Sequence, residues 1–337
     1  MKKILSVILL MISVLFVGCS GGEKEVEKPK DDVVIIQFGN DNNPGDPVHE
    51  AAMYWAKILE ERSNGKMKLE VFPSGQLGSK SDLIDQMLAG DAIVAIGNGP
   101  FYADRGVPDL GIMQAPYLFE TWEELDKLVA SDWWKEKEAE LEANGLKIIG
   151  NNWRYGVRHT ITTKPVKKVA DFKGMKIRTQ NSTVHVKGFE VLGATPTPMA
   201  LSEVYTSLQQ GTIDGLENPL SVIYSGKYHE VAKNLILDGH IRDLSSICIG
   251  AEFFKTLTKE QQDLLISTCT EAGEYQNKLA AKADEECLQK FKNEGVTVTE
   301  EIDFDEFRAV AEPFYKDKVL LNQWSEGLVE KVKEIIK

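Results

Sequence analysis

Positive charge is scarce in this chain. Its 337 residues hold 39 Lys and Arg against 52 Asp and Glu, a formal net charge of −13. Phosphate backbones are gripped by clustered cations, so this balance excludes nucleic acid as a partner. It leaves room for a small anion held by a local arginine, because bulk charge is screened beyond about 8–10 Å. Cysteine is sparse as well: Cys19, Cys248, Cys269 and Cys287, with no Cys-x-x-Cys pair. That removes a zinc site. Cys269 and Cys287 share one helical pattern. They stand roughly 27 Å apart along a straight helix, out of disulfide reach. Positions 248, 269 and 287 are therefore expected to be buried thiols. No His-Glu-x-x-His occurs, and His49, His159, His185, His229 and His240 have no ligand spacing. No metal, no cofactor and no catalytic activity are expected. The apolar run from Ile4 to Val17 falls short of the roughly 20 residues that span a bilayer.

That run carries a different message. Lys2 and Lys3 precede it and Gly18-Cys19 ends it, the order of an export signal over residues 1–18. Leu15-Phe16-Val17-Gly18-Cys19-Ser20 resembles a bacterial lipobox. The resemblance implies cleavage before Cys19, lipidation of its sulfur and a tether to the outer face of a membrane. Residues 19–32 are charged, with Gly and Pro and almost no apolar side chains. They read as a flexible linker. The chain as a whole is 42% apolar and 27% charged, as soluble globular proteins are. From residue 33 onward it is long enough for two lobes.

Strand and helix patterns then alternate. Residues 33–39 are a β-branched run ending in Gly39, which reads as a buried parallel strand. The polar loop 40–47 carries Asp41 at the strand's carboxyl end, where open α/β sheets bind ligands. A helix is predicted over 48–63, a strand over 67–72, a glycine-rich loop over 73–78, a helix over 81–89 and a strand over 91–96. Asn98 follows that strand, either as a ligand contact or as a residue that tolerates a left-handed turn. One long charged helix is predicted over 122–144, with Trp133 and Trp134 as packing residues, then a strand over 146–150. This order is α/β with a mostly parallel sheet. Over residues 151–160, alternation puts Trp153, Tyr155 and Val157 on one face and Arg154, Arg158 and Thr160 on the other. Arg158, beside Gly156, is a candidate ligand cation.

The densest chemistry lies between residues 174 and 219. Residues 175–179 read as a strand with Arg178 at its carboxyl end, followed by Gln180-Asn181-Ser182. A planar guanidinium donates two parallel hydrogen bonds to a carboxylate, a geometry lysine lacks. A helix-like segment leads to a proline-rich turn, Thr195-Pro196-Thr197-Pro198. A second helix over 202–209 leads into the tight turn Gly211-Thr212-Ile213-Asp214-Gly215, which presents Glu217-Asn218-Pro219 as a polar tip. Arg178 and Asn218 are expected to face one cleft and grip an anionic small molecule. Separate strands are predicted over 234–241 and 245–251. A helix then starts at a Thr258–Gln261 capping box and runs to Asn293, with Gly273 as a bend. Its roughly 50 Å length is enough to bridge two lobes.

Four of these elements, in this order and spacing, carry a resemblance. Gly174-Met175-Lys176-Ile177-Arg178 comes first, then Gly193-Ala194-Thr195-Pro196-Thr197-Pro198-Met199 and Ser202-Glu203-Val204-Tyr205. Gln210-Gly211-Thr212-Ile213-Asp214-Gly215-Leu216-Glu217-Asn218-Pro219 completes the set. From about residue 33 to the C-terminus the chain resembles the solute-binding proteins of TRAP (tripartite ATP-independent periplasmic) transporters. The resemblance implies a two-lobed periplasmic-binding-protein-like α/β fold with crossover strands and a long scaffold helix. Lobe I would be 33–155 and 244–283, lobe II 156–243 and 284–337. It gives the ligand carboxylate to Arg178 and further contacts to Arg158, Asn218 and Asn181, with Asn98 and Asp41 completing the candidate site. It implies a lipid-anchored extracytoplasmic receptor that delivers a small organic acid, a C4-dicarboxylate or a sugar acid, to TRAP permease membrane subunits. Sialate is disfavoured, because sialate-binding relatives carry an acidic residue where Asn98 stands and an aromatic where Leu201 stands. The alternative is a ligand-sensing module for a partner signalling protein.

Overall fold

A β-branched run opens the part of the chain that the computed structural model describes, residues 33–337. The export signal, Cys19 and the linker lie outside the described residues. β1 (Val34–Gly39) is followed by α1 (Pro47–Arg62), which starts where Asp46 accepts the Val48 N–H. β2 (Met67–Phe72) lies parallel to β1 on one side. α2 (Lys80–Ala89) begins at a Ser79–Asp82 capping box, and β3 (Ile93–Gly97) lies parallel to β1 on the other side. α3 (Gly99–Ala103) starts at Asn98, whose φ of −139° is extended rather than left-handed.

The helix predicted over 122–144 is two helices, α4 (Trp122–Ala130) and α5 (Asp132–Ala143). Ser131 interrupts it with a ψ of 162°, and its Oγ accepts the Trp134 N–H to cap α5. Serine bonds nearby backbone groups and so favours caps over helix interiors. Trp133 and Trp134 are buried, as expected. β4 (Leu146–Thr162) is one strand of 17 residues.

β5 (Lys176–Thr179) and α6 (Thr183–Val191) follow the sequence pattern. The proline-rich turn is instead a strand, β6 (Thr195–Pro198), parallel to β5 with Arg178 opposite Thr197. It forms one end of the sheet, where prolines are tolerated because no outer strand needs their N–H. After α7 (Val204–Gln209), the expected polar tip is also a strand. β7 (Gly215–Pro219) is buried along its whole length, antiparallel to β4 on one side and parallel to β5 on the other. Gly215 permits this approach, since a Cβ there would stand 2.5 Å from the Ile161 carbonyl oxygen.

α8 (Leu220–Ser225) leads to β8 (Asn234–Gly250), a single 17-residue strand where two were predicted. β4 and β8 pair antiparallel from end to end, with four register shifts. The sheet order is β2-β1-β3-β8-β4-β7-β5-β6. β8 meets β3 through residues 246–249, and β4 meets β7 through residues 158–162. These two strands therefore cross from one lobe to the other.

After α9 (Ala251–Thr256), α10 (Lys259–Asn293) runs for 35 residues from the expected capping box. Leu265, Cys269 and Ala272 of α10 pack into the core around β1 and α1. Cys287 and Phe291 pack into the core around β7 and α8. The helix is thus a scaffold shared by both lobes. Gly273 serves close packing in it: a Cβ would stand 2.4 Å from Asn152 Oδ1. Cys248, Cys269 and Cys287 are free and buried. β9 (Thr297–Thr299) pairs with β8, and α11 (Phe304–Ala311), α12 (Lys318–Leu321) and α13 (Leu328–Ile336) complete the described chain. The expected grouping of 284–337 with the second lobe does not match this packing throughout. Phe314, Leu320, Trp324, Leu328 and Val332 share a core with Leu125, Leu128 and Trp133.

A candidate anion-binding site at the crossover strands

Asp41, Arg158, Arg178, Asn181 and Asn218, five of the six candidates from the sequence, line one cavity of about 140 Å³. That is well under the ~300–1,000 Å³ of drug-sized pockets, so the cavity suits a small solute. Asn98 is placed otherwise. It is buried, and its Nδ2 donates to Gln180 Oε1 at 3.1 Å. Gln180 lines the cavity and Asn98 stands behind it.

The two arginines are in different electrostatic states. Arg178, at the end of β5, is 4% exposed. Its Nε and Nη2 donate to the Met199 carbonyl oxygen at 3.0 and 2.8 Å. It forms no ion pair with a described residue, and burial lowers its pKa against the pull of Glu217. Nη1 has no partner among the described residues. Arg158 is 1% exposed and fully answered. Its Nη2 donates to Glu217 Oε1 at 2.7 Å, its Nε to Glu217 Oε2, and its Nη1 to Asp243 Oδ2 at 2.9 Å. Burial works against this guanidinium, but Glu217 and Asp243 outweigh it and raise its pKa.

The acids that answer Arg158 belong to a buried network. Burial would raise the Glu217 carboxyl, yet Arg158 and His240 hold it well below the usual carboxylate range. His240 stands between two acids, with Nε2 3.3 Å from Glu217 Oε2 and Nδ1 3.2 Å from Asp238 Oδ2. Burial opposes its charge, but Asp238 and Glu217 lift its pKa to about 9. Asp238 also accepts the Thr160 N–H at 3.0 Å and the Thr160 hydroxyl at 2.7 Å. Each charge here has an opposite charge within 3.3 Å, which offsets the cost of burying it.

Lys80 enters the cavity from the first turn of α2. Its Nζ lies 5.5 Å from the Phe101 ring centre and 5.3 Å from that of Tyr155, within cation–π range. Burial lowers its pKa, with Asp41 pulling the other way. Burial raises the Asp41 carboxyl, opposed by Lys80 and Arg178. The cavity thus offers the cationic donors Lys80 and Arg178, one acid, and the Asn218 amide, which bonds no described residue. Among the described residues no cluster could hold a metal ion.

Comparison with known proteins points to the same kind of site. Residues 38–320 match the bacterial extracellular solute-binding protein family 7, DctP. The chain belongs to this family. It is 34% identical over 288 residues to the 2,3-diketo-L-gulonate-binding periplasmic protein YiaO of Escherichia coli K12, covering 84% of this chain and 87% of that one. A TRAP periplasmic solute-binding protein from Ochrobacterium anthropi, solved with bound L-fuconate, is 40% identical with a TM-score of 0.87, covering 90% of this chain and all (100%) of that one. Another, from Actinobacillus succinogenes with bound L-galactonate, is 38% identical with a TM-score of 0.86, covering 90% and 99%. Family 7 proteins are extracytoplasmic binding proteins for transport, not enzymes.

In this family 7 protein three features of the site escaped the sequence reading. Lys80 falls between the glycine-rich loop over 73–78 and the helix expected over 81–89, and belongs to neither. The signal was the Ser79–Asp82 capping box, which puts Lys80 at the first helical position. Tyr155 was assigned to the face opposite Arg158, yet both line the cavity. The pairing with β8 shifts between Arg154 and Gly156, and such a bulge re-aims side chains. Gly156 has a φ of +142°, and a Cβ there would stand 2.7 Å from Pro219 Cβ. Arg154 consequently leaves the site and pairs with Asp126 at 2.7 Å. Glu217 belongs to the expected polar tip of a tight turn, whereas β7 carries it as a strand residue to complete burial.

Proposed function

We propose that this receptor captures a small monocarboxylic sugar acid and delivers it to TRAP permease membrane subunits. The observation that carries this reading is Arg178, a buried guanidinium with no ion-pair partner in the described chain. A ligand carboxylate at the Nη1–Nη2 edge supplies the missing counter-charge through charge-assisted hydrogen bonds. Lys80 as donor and Asp41 as acceptor suit hydroxyl groups on the ligand's body. Asp41 would repel a second carboxylate, so the reading favours a sugar acid over a C4-dicarboxylate. The L-fuconate and L-galactonate found in related structures fit this preference.

Capture proceeds by lobe closure. Asp41 and Lys80 belong to the lobe begun by residues 33–155, and Arg178 and Asn218 to residues 156–243. β4 and β8 cross between them, so a hinge in these strands would bring the two sets together. Excluding water from the closed cavity strengthens the Arg178–carboxylate attraction. A lipid on Cys19 holds the receptor at the outer face of a membrane, near its permease.

Titration calorimetry with L-galactonate, L-fuconate and succinate tests the ligand class. At least one sugar acid is expected to bind about tenfold or more tighter than succinate. Tighter binding of succinate, or no binding of any of the three, would overturn the reading. For the anchor, Cys19→Ala should release the protein from membrane fractions, and continued sedimentation with them would refute lipidation.

A further inference from the structure

A second cavity lies on the reverse face of the crossover strands. It measures about 410 Å³, against about 140 Å³ for the first. Val157 and His159 line it and flank Arg158 in β4, while Leu237 and Gly239 line it and flank Asp238 in β8. Successive strand residues point to opposite faces, so one stretch of backbone carries the walls of both cavities. Nothing in the sugar-acid reading uses this second one.

We propose that it is a separate binding site for an amphipathic monoanion, a single carboxylate on a compact apolar body. Half-buried Arg242 donates through Nη1 to the Phe119 carbonyl oxygen at 3.2 Å and forms no ion pair with a described residue. The other guanidinium, Arg308, is already answered by Glu120 at 3.3 Å and Asp305 at 3.5 Å. Arg242 is thus the lining guanidinium without a carboxylate partner among the described residues, and one ligand carboxylate would supply it. His159 adds a neutral donor. Its Nδ1 accepts the Gly239 N–H at 3.0 Å, which leaves the ring proton on Nε2. Burial pushes its pKa down to about 4, against Asp238, whose Oδ1 lies 3.8 Å from Nδ1. Tyr117 lines the cavity in a left-handed conformation with φ +59°, and its buried hydroxyl has no hydrogen-bond partner. Glu120 and Thr121 also line the cavity, and Phe119, Val157, Leu237 and Phe304 supply its apolar walls. Phe119 is buried, while Phe304 keeps 39% of its surface exposed, and a guest with an apolar body would cover that ring.

Fluorine NMR of the full chain titrated with 4-fluorobenzoate tests the site. The probe should bind, and 4-fluorobenzyl alcohol, its neutral counterpart, should bind more weakly. Arg178→Ala, which disables the first cavity, should leave probe affinity within about threefold, while Arg242→Gln should weaken it about tenfold or more. Val157→Trp, which fills the second cavity from its strand wall, should block the probe and stands as the test should Arg242→Gln fail to fold. Absence of binding into the millimolar range, loss of binding in Arg178→Ala, or undiminished binding in Val157→Trp would each overturn the proposal.

Discussion

Replacing Arg178 by methionine should separate binding from folding. The side chain is 4% exposed, forms no ion pair with a described residue, and places two N–H groups on the Met199 carbonyl oxygen. Burying a lone charge carries an effective penalty of several kcal/mol. Hydrogen bonds to a charged group offset about 1.5–3 kcal/mol each. Methionine removes both terms and keeps a flexible apolar chain in the gap. The ligand-free variant should therefore stay within about 2 kcal/mol of wild type, a change of several degrees at most in Tm. Binding should respond very differently. A ligand carboxylate would be buried without its counter-charge, a loss of about 3–5 kcal/mol, or roughly two to three and a half decades in Kd. Melting curves with and without L-galactonate read both quantities. The acid should raise the wild-type Tm by mass action and leave the variant's unchanged. A ligand-free loss above about 3 kcal/mol, or an affinity within about threefold of wild type, would show that Arg178 is a structural cation.

The network around Arg158 makes the opposite expectation. Glu217→Gln removes the carboxylate that both Nε and Nη2 engage, so urea unfolding should register a loss of about 3 kcal/mol. A loss below about 1 kcal/mol would mean that Asp243 alone suffices for Arg158. His240 contributes a pH dependence. Its pKa rises from 6.5 to about 9 on folding, so its stabilisation is complete below pH 6.5 and is lost as pH climbs through about 9. The change is on the order of 3 kcal/mol. His240→Gln should flatten that part of the stability profile, and parallel profiles for the two proteins would refute the assignment.

Where the sequence misled, polarity was read locally. Residues 234–241 and 245–251 look like two strands because Arg242 and Asp243 interrupt the apolar pattern. In the structure Asp243 is 1% exposed and its carboxylate meets Arg158 at 2.9 Å, so β8 passes through without a break. Glu217-Asn218-Pro219 looks like a turn for the same reason. Its glutamate is answered by Arg158 from β4, and the strand is walled by β4 and β5. Strands whose polar residues need no remote partner are legible from local pattern alone, β1 from its β-branched run ending in Gly39 and β2 from its alternation up to Pro73. Ser131 belongs with them in principle, since a serine between two charged helical runs is itself a cap signal.

The site divides along the same line. Arg178 is legible as a cavity residue because it ends a strand pattern, whereas Asn181 and Asn218 are picked out by the resemblance and line the same cavity. The difference between Arg178, at the end of β5, and Arg158, inside β4, is not legible in the sequence, since both are single arginines in strand patterns. What distinguishes them is whether an acid elsewhere in the fold reaches them. Arg158 has Glu217 and Asp243, 59 and 85 residues away, brought in by β7 and β8. Arg178, on β5, sits two strands farther from β8, between β6 and β7, and meets a backbone carbonyl instead. Burial alone therefore does not mark an arginine as a ligand residue. A buried arginine left without an acid is a local loss of stability that a receptor retains because an incoming carboxylate supplies the missing partner.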